Sequence, residues 1–143
     1  MRTIESLANE FDTDKAISVR QPWADLIVYG PKDIENRNWY TPYRGPVFIH
    51  AARQFDYGAY QWILRHHGHV FTSKMKFNRG GLIGVAHLSY VYKEHSSEWF
   101  QGKYGFFLED RRPVEFTPLK GQLGLFNIFF PDINPFPPRT RRR

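Results

Sequence analysis

The chain of 143 residues has no cysteine, which excludes disulfides, thiolate-ligated zinc and a thiol nucleophile. No apolar run approaches the roughly 20 residues that a membrane helix needs. The opening stretch MRTIESLANEFDTDK is acidic and polar and resembles no signal peptide. A G-x-S-x-G elbow, a P-loop and a dinucleotide fingerprint are all missing, so the chemistry those motifs carry has no foothold. His66, His67 and His69 stand close together, but without cysteine or an H-E-x-x-H spacing they read as helix-end imidazoles rather than zinc ligands. The expectation is a soluble, cytoplasmic protein with no membrane contact, no metal and no cofactor.

Aromatic residues are abundant instead. Thirteen Phe, eight Tyr and four Trp make up 17% of the chain, more rings than a small core needs, so some should line a surface. The net charge of +6 is unevenly spread. Residues 15–79 hold ten basic side chains against four acidic, residues 1–14 one against four, residues 80–138 five against six, and residues 139–143 four arginines. Such asymmetry suits an anionic ligand approaching one side; ordinary surface charge is the alternative. The length fits one domain with a genuine core.

Residues 18–51, SVRQPWADLIVYGPKDIENRNWYTPYRGPVFIHA, carry most of the functional information. A helix is expected over 21–29, with Pro22 in its first turn. Trp23, Leu26 and Ile27 fall at i, i+3 and i+4, forming a face that docks on a sheet while Asp25 points away. Gly30 supplies a left-handed closing residue, and Pro31 forbids continuation. Residues 32–39 then read as a strand in which Ile34 faces the core while Glu35, Arg37 and Trp39 share the other face, joined by Lys32. A carboxylate and an Arg fork can read the hydrogen-bonding edge of a planar ligand, and an indole can stack on its face. The same residues also suit the solvated face of an antiparallel strand.

Elsewhere, 16–20 reads as a first strand with Ile17 and Val19 inward, 43–45 as a turn, and 47–51 as a strand in which His50 is either pocket-facing or structural. A second helix is expected over 56–67, with Asp56 as N-cap and Gly68 closing it. Residues 70–79 form a loop in which Lys74, Lys76 and Arg79 flank Phe77, suited to phosphate contact and base stacking or to a solvated connection with Phe77 plugged inward. Residues 80–92 make a long strand with a bend or close approach at Gly84. An aromatic loop leads into a strand over 104–108, a turn falls at 110–113, and a last strand covers 125–130.

The segment GPKDIENR matches G-x-K-x-x-E-x-R, and together with SVRQPWADLIV, NWYTPYRGPVFIHAA and PLKGQLGLFNI it resembles the ASCH domain (activating signal cointegrator homology) of the PUA-like superfamily. The four pieces occur in order across about residues 16–130. The resemblance implies an α+β fold, a small PUA-like β-barrel with two or so flanking helices. Residues 1–14 read as a flexible lead-in, loose or briefly helical, 15–131 as the domain that the resemblance covers, and 132–143 as a Pro/Arg-rich tail. A cleft beside the signature would bind RNA or another nucleic acid and accommodate a base or modified nucleoside. The candidate binding residues are Trp23, Lys32, Glu35, Arg37, Trp39, Tyr43, Arg44 and Lys120, with Arg139, Arg141, Arg142 and Arg143 of the tail. Some relatives are hydrolases, a ribonuclease and amidohydrolases of acetylated cytidine among them, which makes Lys32 and Glu35 candidate catalytic groups. Amidohydrolase relatives, however, have a catalytic threonine where this chain has Glu35. A protein-interaction module, as in coactivator relatives, is a third class.

Overall fold

The computed structural model describes residues 2–128. In chain order they form α1 (Ile4–Phe11), β1 (Lys15–Gln21), α2 (Trp23–Tyr29), β2 (Ile34–Arg37), β3 (Gly45–Phe55) and α3 (Tyr57–His67). A 3-10 turn (Gly68–Val70), β4 (Gly81–Tyr92), β5 (Tyr104–Pro118) and β6 (Leu125–Asn127) follow. The six strands make one mixed sheet in the order β2-β5-β4-β3-β1-β6, with β1 and β3 parallel and the remaining pairs antiparallel.

The fold is α+β, but the sheet is not a closed barrel. β2 and β6 are its edges, and no strand ladder joins them among the described residues. Both are short, at four and three residues, too short to zip a seam by themselves. The sheet still curls, because register shifts at three points between β4 and β5 and at one point between β3 and β4 add local twist and bend. Curling brings the Arg37 guanidinium of β2 within 2.8 Å of the Ser18 carbonyl of β1. Side chains therefore cross the seam where backbone does not.

Both sheet faces are covered. Ile17, Val19, Val47 and Ile49 pack with Ala24, Ile27 and Val28 of α2. Of the face expected to dock on the sheet, Ile27 is in this cluster and Trp23 packs against it, while Leu26 packs instead with Ile63 and Met75. Phe48 points the other way and is equally buried, packing with Leu7 and Ala8 of α1. The lead-in, expected to be loose or briefly helical, thus holds a helix, and that helix is docked on the core. Its end is capped by the Thr3 side chain, which accepts from the Ser6 amide at 3.0 Å, and burying Leu7 alone is worth about 1.5–3 kcal/mol.

Three local expectations are corrected. Asp25 does not point away but is 2% exposed. It accepts from the Gln21 carboxamide at 2.9 Å and the Phe77 amide at 2.8 Å, so it ties the 70–79 loop to α2. Gly30 is extended, at φ −126° and ψ −162°, rather than left-handed. What requires glycine there is space, since a Cβ would lie 3.0 Å from the Leu26 carbonyl oxygen and from Met75 Cε. Residues 110–113 are not a turn, because β5 runs unbroken through them with a left-handed residue at Asp110, φ 53°. Of the strand expected over 125–130, β6 covers Leu125–Asn127; residues 129 and 130, like the tail arginines, lie outside the described residues. Gly84 makes the close approach expected of it, for a Cβ there would stand 2.5 Å from Val28 Cγ2.

Candidate functional site

A cleft of about 680 Å³ opens beside the unzipped seam. Its wall is built by β2. Lys32, just before the strand, is 3% exposed, and its ammonium donates to the Ile34 carbonyl oxygen and, at 3.2 Å, to Glu35 Oε1. Arg37, two residues on and therefore on the same face, donates from Nε to Glu35 Oε2 at 3.1 Å. Its Nη2 lies 3.0 Å from the same oxygen and reaches the Ser18 carbonyl. Glu35 thus sits between two cations, and Arg37 Nη1 has no protein acceptor among the described residues.

Aromatic rings surround this network. Trp23, Trp39, Trp62 and Trp99 all border the cleft, and they are the four tryptophans of the chain. Trp23 stands in the first turn of α2, its indole N–H 3.4 Å from Asp56 Oδ2 and its ring 5.6 Å from the Lys32 ammonium. Trp39 is fixed edge-on against Phe106 at 5.2 Å and lies 6.0 Å from the Arg37 guanidinium. Asn36 clamps the loop bearing Trp99. Its side chain donates to the Trp99 carbonyl at 2.9 Å and accepts from the Gln101 amide at 2.8 Å. Trp62 sits half-exposed on α3. Arg20, Lys32 and Arg37 are matched by Glu35, Asp56 and Glu98 along the same lining, so the cleft is close to charge-balanced.

Two groups outside the cleft, His50 buried and Arg111 partly buried, hold its frame. His50 is 1% exposed, with Nδ1 2.9 Å from the Ser18 hydroxyl and Nε2 2.6 Å from the Leu119 carbonyl. A carbonyl only accepts, so Nε2 carries the proton and Nδ1 accepts from Ser18. Burial pushes the imidazole pKa down against the opposing pull of the Leu119 carbonyl; the histidine is structural. Arg111 donates from Nη1 to the carbonyls of Ile27, Gly30 and Lys32 at 2.9, 3.0 and 2.8 Å. It therefore closes the C-terminal end of α2 and fixes the turn into β2. Its pKa is lowered by burial, with Asp33 acting in the other direction.

Trp23, Lys32, Glu35, Arg37 and Trp39 are brought together in this cleft. Tyr43 and Arg44 are not. The Tyr43 hydroxyl donates to the Pro46 carbonyl, and Arg44 donates to the Thr41 and Tyr43 carbonyls while lying against the Tyr40 ring. Lys120 is exposed and outside the lining; its neighbours Leu119 and Gly121 instead hold His50, a Cβ on Gly121 standing 2.7 Å from His50 Cε1. Arg139, Arg141, Arg142 and Arg143 lie outside the described residues. Phe77 packs against Phe55, Tyr60 and Phe71, plugged inward. Sequence reasoning missed Trp62, Trp99 and Arg111. An indole within the helix expected over 56–67 was a usable signal for Trp62; the Arg111 contacts, more than 75 residues away in sequence, had none. Among the described residues no group of three or more His, Asp or Glu is placed to hold a metal. None of their helices is long and apolar enough to cross a membrane.

A family model described as the ASCH domain matches residues 17–121. Over 42 residues the chain is 54% identical to human Activating signal cointegrator 1 and 51% identical to its mouse counterpart. Those 42 residues are 29% of this chain and 7% of each relative, so the match spans a small part of the curated proteins. The solved ASCH protein of Zymomonas mobilis is 20% identical at a TM-score of 0.45, over 73% of both chains. A mutant of it gives the same identity and score, over 73% of this chain and 75% of its own.

Proposed function

Because the chain belongs to the ASCH domain family, we propose that it is a nucleic-acid-binding module, RNA being the favoured ligand, whose cleft takes up one unpaired base or modified nucleoside. The observation that carries this reading is the convergence of all four tryptophans on a cleft walled by the Lys32–Glu35–Arg37 network. Charge balance supports a base over a phosphate, since a phosphate site needs surplus cations and unpaired donors. A neutral ring needs faces to stack on and an edge partner. The indoles supply the faces, and Arg37 Nη1 supplies a donor for a ring nitrogen or carbonyl. Unstacked bases held this way are the usual targets of sequence-specific RNA recognition. The experiment is a titration of single nucleosides and short RNAs against the protein and its Trp23→Ala and Arg37→Lys variants. Loss of affinity in both variants, with the fold intact, supports the reading; unchanged affinity in both rejects it.

One observation favours a second reading. Lys32 Nζ and Glu35 Oε1 lie 3.2 Å apart in the cleft wall, a geometry that hydrolysis through a lysine–carboxylate pair would use. Incubating the protein with mixed RNAs and acetylated cytidine, followed by mass spectrometry, tests it. Product formed by the native protein and not by Glu35→Gln would make the cleft an active site. No product leaves binding as its work.

A further inference from the structure

A second depression, outside the cleft, is lined by Tyr40, Arg44, Tyr90, Tyr92, Lys93 and Tyr104. Four of the eight tyrosines of the chain meet here. Tyr40 and Tyr90 are 51% and 53% exposed, unusually open for rings with apolar faces. Tyr90 and Tyr92 pack at 4.6 Å, Tyr40 and Tyr104 at 5.9 Å. Arg44 lies 5.7 Å from the Tyr40 ring, with Nη2 3.3 Å from its hydroxyl. Arg44 and Lys93 face one carboxylate, Glu94, along the lining. Exposed rings interleaved with surplus cations suit a sequence-tolerant single strand, whose bases stack while its phosphates meet the cations.

Two links join this depression to the cleft. Trp39 borders the cleft and Tyr40 the depression, and neighbouring residues have their Cα atoms about 3.8 Å apart. Arg37, in the cleft wall, pairs in register across the ladder with Tyr104 of the depression. The lips of the two concavities therefore meet along β2 and the Trp39–Tyr40 step. We infer that the tyrosine depression is a stacking platform for the nucleotides that flank the base held in the cleft, so that the protein binds a short single strand rather than an isolated nucleoside. The order of the strand across the two sites rests on the cleft reading; the platform rests on its own residues.

The test uses uridine and adenosine monophosphates and the matching hexanucleotides. Each is titrated against the protein, a Tyr40→Ala/Tyr90→Ala variant and Trp23→Ala. Tryptophan fluorescence reports the cleft, since every tryptophan borders it, and anisotropy of labelled hexamer reports total binding. Both tyrosines are over half exposed, so a folded variant is expected, and circular dichroism checks it. The inference predicts that the hexamers bind tighter than the monophosphates and that the double variant loses about five- to 150-fold for each base that stacks. Monophosphate quenching should stay as in the native protein. Hexamers that bind no tighter than monophosphates would overturn the platform and leave the cleft reading standing. A hexamer affinity unmoved by the double variant would also overturn it, and a simultaneous change in self-association would reassign the surface to protein contact. Hexamer binding that depends on the tyrosines but neither quenches tryptophan nor responds to Trp23→Ala would uphold the platform and reject the cleft. If no nucleotide binds at all, both readings fall.

Discussion

Glu35 accepts from Lys32 on one oxygen and from Arg37 on the other, with its side chain only 10% exposed, so its charge is built into the fold as well as into the cleft. Glu35→Gln would leave the buried Lys32 ammonium without its counter-charge, which costs on the order of 3–5 kcal/mol. Chemical denaturation should show a fall of that order, and a loss of binding in this variant means something only beside that measurement. Arg37→Lys is the cleaner probe, because it keeps a cation next to Glu35 while removing the planar fork. Its stability should drop by less than that of Glu35→Gln, and base preference should relax. His50 sets a pH dependence. Its folded pKa lies below the ordinary 6.5 because of burial, so the unfolded chain takes up the proton first as pH falls. The stabilising contribution is therefore complete above pH 6.5 and is lost as pH falls through the folded value. Melting temperatures measured across that range should fall with a slope of up to one proton in the native protein, and His50→Gln should be flatter.

At the scale of elements, the cleft depends on α2 lying flat on the sheet, and Gly84 is what allows it. A Cβ there would meet Val28 Cγ2 at 2.5 Å and the Arg112 carbonyl oxygen at 2.9 Å. Gly84→Ala should cost about 1–3 kcal/mol by overpacking and weaken ligand binding too, since α2 carries Trp23; calorimetry and a nucleoside titration together check this. Arg111→Met should act on the same helix from its other end, leaving three carbonyls without their donor at about 1–3 kcal/mol for the loss. These dependencies show what the sequence could and could not reveal. The helix α2 was legible because Trp23, Leu26 and Ile27 repeat at helical spacing, although Leu26 turns to Ile63 and Met75 rather than to the sheet. Strand β2 was legible because Gly30-Pro31 breaks the chain before it and Ile34, Glu35 and Arg37 alternate, although it covers Ile34–Arg37 rather than 32–39. Asp25 was misread because it sits on the polar side of that helix, and its partners, Gln21 and Phe77, come together only when the 70–79 loop folds over it. Gly30 was read as a torsional glycine when the constraint is space against the Leu26 carbonyl oxygen and the Met75 side chain, the latter 45 residues away. Residues 110–113 looked like a turn because a left-handed Asp110 inside a bulged strand has the same composition as one in a loop.

For the whole molecule, the central feature is a curled sheet whose seam, among the described residues, is bridged by Arg37 rather than by a strand ladder. Incomplete closure leaves the cleft between β1 and β2. The closed barrel implied by resemblance missed this because closure depends on the lengths of β2 and β6, and strand ends are poorly marked in sequence. Trp62 and Trp99 reach the cleft from α3 and from the loop before β5, so four indoles scattered over 77 positions of sequence become one lining only in three dimensions. They also give the claim its most direct measurement. Each tryptophan contributes one indole N–H resonance to a nitrogen–proton correlation spectrum, giving four reporters on the cleft. Titrating a short single-stranded RNA into the labelled protein should shift the Trp23 and Trp39 indole signals, with Trp62 and Trp99 following, and the shifts should be lost in a folded Arg37→Lys variant in proportion to its loss of affinity. RNA that binds while all four indole signals stay in place would contradict the account.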